Sequence, residues 1–68
     1  MQQWHLLFKT RNLAEASILQ GMLEENEIPV QVLNKLDSSY LNFGDIEIYV
    51  PIHFKELAKQ LVDKALLN

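Results

Sequence analysis

The chain has 68 residues, a formal net charge of −3 and no cysteine, so we expect one small domain without disulfides or thiolate metal sites. Its 9 acidic and 6 basic side chains argue against binding to nucleic acid or to an anionic membrane surface, since both need a concentrated positive face. No apolar run approaches the roughly 20 residues that span a bilayer, and the N-terminus lacks the features of a signal peptide. These features predict a single cytoplasmic domain over residues 1–68.

The first predicted element is a strand with the sequence QWHLLFK. Side chains alternate between the two faces of a strand. Regular alternation therefore predicts Trp4, Leu6 and Phe8 on one face of the sheet. His5 and Leu7 are predicted on the opposite face.

A helix follows, with both of its ends marked in the sequence. Asn12 is a favourable N-cap, and Glu15 stands three residues later, as in a capping box. Pro29 cannot continue a helix, and Asn26 is a residue type that commonly ends one in left-handed geometry. These signals predict a helix over Leu13–Glu25.

Gly21 lies in the interior of this helix, where glycine costs roughly 1 kcal/mol relative to alanine. One interpretation is close approach, in which the missing side chain lets the helix backbone pack against a neighbouring element. The alternative is a tolerated surface glycine. The sequence favours neither.

The second half of the chain predicts two further strands and a second helix. PVQVLN and IEIYV read as strands, separated by a turn-rich connection over residues 35–45. In IEIYV, alternation places Glu47 and Tyr49 on one face and the isoleucines and valine on the other. Pro51 marks the entry to the last helix.

The resulting order β-α-β-β-α predicts an α+β fold. A right-handed crossover through the first helix makes the first two strands parallel, and the third strand then fits between them, antiparallel to both. This is a ferredoxin-like sandwich without its final strand, with a three-stranded sheet ordered 1-3-2 and two helices on one face. One face of the sheet and one edge of the first strand are left open.

Motifs for catalysis or for metal binding are missing from the sequence. It contains no cysteine nucleophile, no glycine-rich phosphate loop and no paired zinc-binding histidines. Ser38 and Ser39 adjoin Asp37, which is ordinary turn chemistry, and His5 and His53 are not spaced as a local metal pair. We therefore expect a protein that is not an enzyme and that carries no cofactor and no metal.

The open face of the sheet is the first candidate site. Alternation predicts that this face carries apolar and polar side chains together, where an exposed sheet face should be mostly polar. Contiguous exposed apolar surface marks contact sites. The candidate partner-binding residues are His5, Leu7, Leu33, Glu47 and Tyr49.

The connection over residues 35–45 is the second candidate site. It could fold back over the sheet and enclose a small-molecule ligand. Asp37, Tyr40 and Phe43 are its candidate ligand-binding residues. The sequence does not decide between two alternatives: this loop covers the open face, or the face is exposed to a partner.

An ordered set of residues runs through the chain: Asn12, Glu15, Ala16, Leu19, Gly21, Leu23, Glu24, Ile28, Pro29, Ile48, Val50 and Pro51. This set resembles a small bacterial domain family of unknown function, the "putative signal-transducing proteins". The resemblance covers nearly the whole chain, but Asn26 and Glu27 replace the glycine that is more usual before the Ile-Pro pair. It implies a ferredoxin-like fold related in shape to nitrogen-regulatory PII-type proteins, and it supplies no catalytic residues.

These observations predict a non-enzymatic regulatory or protein-interaction module. Its first strand has no proline and no central charge to block pairing with another strand, so we expect a protein partner or a weak homodimer. A small-molecule sensor that binds its ligand under the 35–45 loop is the alternative.

Overall fold

The computed structural model describes residues 3–36 and 44–66. The structure confirms the predicted fold. The elements are β1 (Trp4–Thr10), α1 (Leu13–Glu25), β2 (Gln31–Asn34), β3 (Ile46–Pro51), a single 3-10 turn (Ile52–Phe54) and α2 (Lys55–Leu66).

The three strands form one sheet in the order β1-β3-β2, and β3 is antiparallel to both of its neighbours. Pro51 does not open the last helix as its position suggested. It ends β3 instead, and the 3-10 turn intervenes before α2. The backbone N–H of Ile52 then donates to the carbonyl of Gln3 at 2.9 Å, so the pairing of β1 with β3 continues beyond the proline.

The core lies between the sheet and the helices. The even-numbered side chains of β3 are fully buried, as expected for a central strand whose one face is covered. They share a single cluster with residues from both helices, which places α1 and α2 on the same side of the sheet. The buried apolar residues are Ala16, Leu19, Leu23, Ile28, Ile46, Ile48, Val50, Ala58 and Val62.

The N-terminus of α1 is capped as the sequence indicated, with one variation. Asn12 Oδ1 accepts a hydrogen bond from the backbone N–H of Glu15 at 3.0 Å. The Glu15 carboxylate accepts from the Thr10 hydroxyl at 2.7 Å, and that hydroxyl oxygen accepts from the backbone N–H of Asn12 at 3.0 Å. Thr10 therefore mediates the contact that a capping box makes directly, and it ties the end of β1 to the start of α1.

The sequence predicted left-handed geometry at Asn26, but the left-handed residue at the C-terminus of α1 is Glu27 (φ 61°). The N–H of Ile28 donates to the carbonyl of Leu23, and the N–H of Glu27 donates to that of Glu24, both at 3.0 Å. This is the Schellman pattern, including its apolar contact between the buried residues Ile28 and Leu23. It turns the chain directly from α1 into the sheet.

Gly21 is not a site of close approach. A Cβ added at this position would have no neighbouring atom within 4 Å. The glycine is a tolerated helix residue, and its cost in helix propensity has no packing benefit to offset it within the described residues.

We therefore expect Gly21→Ala to raise the free energy of unfolding by up to about 1 kcal/mol, because alanine favours the helix and reduces the freedom of the unfolded chain. Urea denaturation measures this change. Ser17→Ala, at an exposed position of the same helix, is the control and should give a smaller gain. Destabilisation by Gly21→Ala would contradict the open environment.

We expect Glu27→Gly to stabilise the protein by about 1 kcal/mol. The left-handed conformation costs an L-residue roughly 1–2 kcal/mol, and glycine avoids this cost. Part of the gain is lost because glycine makes the unfolded chain more flexible. Asn26→Gly is the matched control at the adjacent position. It should destabilise, since Asn26 has a negative φ and its Nδ2 donates to the Met22 carbonyl at 2.8 Å. Equal effects of the two substitutions would contradict this assignment of the helix end.

Candidate functional site: the open face of the sheet

A β-bulge at Leu7 determines which side chains of β1 reach the open face. Leu6 lies opposite Tyr49 and Phe8 lies opposite Ile48, so Leu7 is an extra residue between two consecutive pairs. A bulge of this kind shifts the alternation of side chains by one position. Before Leu7, the even-numbered side chains of β1 therefore lie on the same face as Tyr49. After Leu7, the odd-numbered ones do.

Two of the five residues predicted for the open face lie elsewhere. His5 pairs with Val50, whose side chain is in the core, so His5 is on the helix side of the sheet. Leu7 packs against the hydrophobic core on that same side. Regular alternation failed here because it assumes an unbroken strand.

The other three predicted residues do come together. Leu33 lies directly opposite Glu47 across the β2–β3 pair, and Tyr49 lies two residues further along β3 on the same face. The register also places on this face residues of β1 that alternation had assigned to the opposite face. Leu6 faces Tyr49, and Trp4 pairs with Pro51. We call this surface the open face; its residues are Trp4, Leu6, Lys9, Gln31, Leu33, Glu47 and Tyr49.

A hydrogen-bonded carboxylate lies at the centre of the open face. The Tyr49 hydroxyl donates to Glu47 Oε1 at 2.7 Å, and Lys35 Nζ lies 3.2 Å from the same oxygen. Lys9 is the residue opposite Glu47 on β1. Glu47 is only 8% exposed, and these partners offset the cost of burying its charge.

The hydrogen bond between Tyr49 and Glu47 shifts the pKa values of both residues. The hydrogen bond from Tyr49, followed by the one from Lys35, holds the pKa of Glu47 below its ordinary value of 4.5. The same hydrogen bond to Glu47 raises the pKa of Tyr49 above 10.0. Glu47 is therefore an ionised acceptor and Tyr49 a protonated donor at neutral pH, and neither is poised to exchange a proton there.

Apolar side chains surround this polar centre. Leu33 is 48% exposed and Leu6 is 36% exposed, and Trp4 and Tyr49 are partly buried. Aromatic and aliphatic surface with a few fixed polar groups is the composition of a protein contact site.

The connection between β2 and β3 is fastened at its base. The N–H of Lys35 donates to the carbonyl of Asp45 at 3.1 Å. Gly44 has a φ of 131°, and a Cβ there would lie 3.0 Å from the carbonyl carbon of Lys35 and closer still to its oxygen. Only glycine fits this close approach, which holds Lys35 beside β3. The candidate ligand residues Asp37, Tyr40 and Phe43 lie outside the described residues.

The two histidines lie on different elements. His5 is in β1, and His53 is in the 3-10 turn with its ring 4.6 Å from that of Phe54. Within residues 3–36 and 44–66, no three His, Asp or Glu side chains are arranged to hold a metal ion.

We expect Tyr49→Phe to raise the pKa of Glu47 toward 4.5, its ordinary value, because the largest cause of its depression is removed. In the native protein, the stability contributed by ionised Glu47 is complete above that ordinary value and is lost as the pH falls through the lowered pKa. The variant should therefore lose less stability on acidification. NMR titration of the Glu47 carboxyl carbon, with urea unfolding from neutral to strongly acidic pH, measures both effects.

Leu6→Ala is the control for this experiment, since Leu6 adjoins Tyr49 across the strands without taking part in the hydrogen bond. It should leave the titration of Glu47 unchanged. An unaltered Glu47 pKa in Tyr49→Phe would show that the hydrogen bond does not govern this carboxylate.

Comparison with known proteins identifies a family for this chain. No curated protein and no solved structure matches this chain significantly. Neither helix of the described chain is long and apolar enough to cross a membrane. Residues 4–65, nearly the whole chain, match one family model. The chain therefore belongs to the family described as "Putative prokaryotic signal transducing protein".

Proposed function

We propose that this domain is a non-enzymatic regulatory module that acts by protein contact through the open face. The observation that carries the proposal is the exposure of Leu33 and Leu6 beside the Tyr49–Glu47–Lys35 network on a sheet face that neither helix covers. An antiparallel sheet with one face in water should present polar side chains there. Here, apolar surface surrounds a pre-organised polar centre. The family description supports a role in signalling.

The partner to which we assign this face is a second copy of the chain. The open face carries a cation at Lys9 and an anion at Glu47, and exposed apolar side chains lie beside them. Lys35, just beyond β2, pairs with Glu47. A two-fold contact brings the same patch of each copy together, so a patch that carries both charges and exposed apolar side chains can complement itself. We expect this dimer to be weak.

Pairing through the free edge of β1 is less favourable than the sequence suggested. The bulge at Leu7 interrupts this seven-residue strand near its middle. Bulges are one of the devices by which proteins keep edge strands from pairing with other chains. We therefore propose that the two copies associate through side chains of the open face and not by extension of the sheet along β1.

The test compares two leucines with nearly equal exposure. Leu33 (48% exposed) is on the open face, and Leu57 (47% exposed) is on α2. We expect Leu33→Ser to weaken self-association at least about fivefold, through loss of apolar contact, and Leu57→Ser to leave it unchanged. Sedimentation equilibrium over a range of concentrations measures the dimer constant. Tyr49 is a poorer probe, since its loss would also release Glu47.

Both substitutions remove exposed side chains, so each should alter the free energy of unfolding by only about 0.5 kcal/mol. Urea denaturation checks that the two variants remain folded. A monomeric mass for the native chain at millimolar concentration would contradict self-association. Equal weakening by the two variants would exclude the open face as its site.

A further inference from the structure

A groove runs between β1 and α2 on the side of the sheet opposite the open face. Its volume is about 330 Å³, near the lower end of the range of about 300–1,000 Å³ for small-molecule sites. Its apolar surface comes from Leu7 and Phe8 of β1 and from Val62 and Leu66 of α2. Leu66 is 47% exposed at the end of the helix, so the groove opens to solvent there.

The bulge builds the floor of this groove. In a regular strand, Leu7 and Phe8 would point to opposite faces. The extra residue in β1 lets both line the groove, and His5 lies on the same side. Bulges occur next to binding and active sites, where they redirect side chains.

Positive charge is concentrated along one end of the groove. Lys55 and Lys59 are four residues apart on α2, and both line it. Within the described residues, neither ammonium forms an ion pair. Asp63, one turn further along the helix, is the carboxylate that lines the groove. Two cations against one anion stand out on a chain with a net charge of −3.

From this arrangement, we infer that the groove binds a small amphiphilic anion, with its acidic head at Lys55 and Lys59 and its apolar tail along Leu7, Phe8 and Leu66. The lysines complement the charge of a single carboxylate or phosphate head. Leu7, Phe8 and Val62 exclude water from the tail, which supplies the apolar part of the affinity. The ligand is a free molecule and not a membrane lipid, because the acidic chain as a whole opposes an anionic bilayer. This inference is independent of the proposed function, since the open face lies on the other side of the sheet.

The probe is octanoate, titrated into the ¹⁵N-labelled full chain and followed by amide chemical shifts. We expect shifts in residues 5–8 and 55–66, with a Kd on the order of 1 mM for a ligand of this size. 1-Octanol, which keeps the tail without the charge, should bind at least about fivefold more weakly. Equal affinity for octanol would overturn the inference, because the lysines would then contribute nothing.

Lys59→Met keeps most of the aliphatic stem and removes the charge, so it should weaken octanoate binding roughly five- to tenfold. Lys64→Met, on the same helix but outside the groove, is the matched control and should retain the native Kd. Lys55→Met serves as the second variant, and the amide spectrum of each variant shows whether it is folded. Equal Kd values for all three lysine variants would overturn the inference.

Two further measurements distinguish binding in this groove from binding at the open face and from binding to a membrane or a peptide. Leu33→Ser should bind octanoate with the native Kd even where it disrupts self-association, which keeps the tests of the two proposals apart. Binding to phosphatidylglycerol vesicles or to an acidic peptide without any response to octanoate would overturn the small-ligand inference. Octanoate shifts confined to residues outside the groove would overturn it as well.

Discussion

The burial of β3 under both helices is the constraint on which the rest of this structure depends. Ile46, Ile48 and Val50 are completely buried, and in a domain this small such residues provide much of the apolar area that opposes chain entropy. With one face of β3 committed to the core, its alternate residues must point away from the helices. The central position of β3 therefore creates the core and, by the same geometry, places Glu47 and Tyr49 on the open face.

A charged residue in the middle of that open face needs partners, and the neighbouring elements supply them. Tyr49 comes from the same strand, whereas Lys35 follows β2 and is held by the close approach of Gly44. These contacts keep Glu47 ionised and fixed while Leu33 beside it remains exposed. A rigid polar centre with adjacent apolar surface lowers the entropy cost of forming an interface, which is why the open face supports a role in protein contact.

The bulge at Leu7 gives the two sides of β1 different properties. It brings Leu6 to the open face, and it directs His5, Leu7 and Phe8 toward α2. One irregularity thus contributes to both proposed surfaces, the contact face and the groove with its lysines. It also interrupts the edge of β1 that a regular strand would present for pairing.

Much of the fold follows from patterns that are local in the chain. The bounds of α1 agree with the predicted range, since its capping residues and Pro29 act within a few positions of the helix ends. The strand order 1-3-2 was predicted from the right-handed crossover through α1, which makes β1 and β2 parallel and leaves a place for β3 between them. Leu33, Glu47 and Tyr49 were grouped correctly because β2 and β3 alternate without interruption.

The remaining features depend on how the elements meet in three dimensions. No residue type marks Leu7 as a bulge, since its extra position exists only relative to the register and twist of β3. That register removes His5 and Leu7 from the open face and adds Leu6. Likewise, only the tertiary structure shows that the space beside Gly21 is open, because that depends on where the other elements lie. The sequence by itself determined which elements form and which face of each is apolar, because those properties are periodic along the chain. The tertiary structure alone decided which side chains share a surface, because that depends on contacts between residues far apart in sequence.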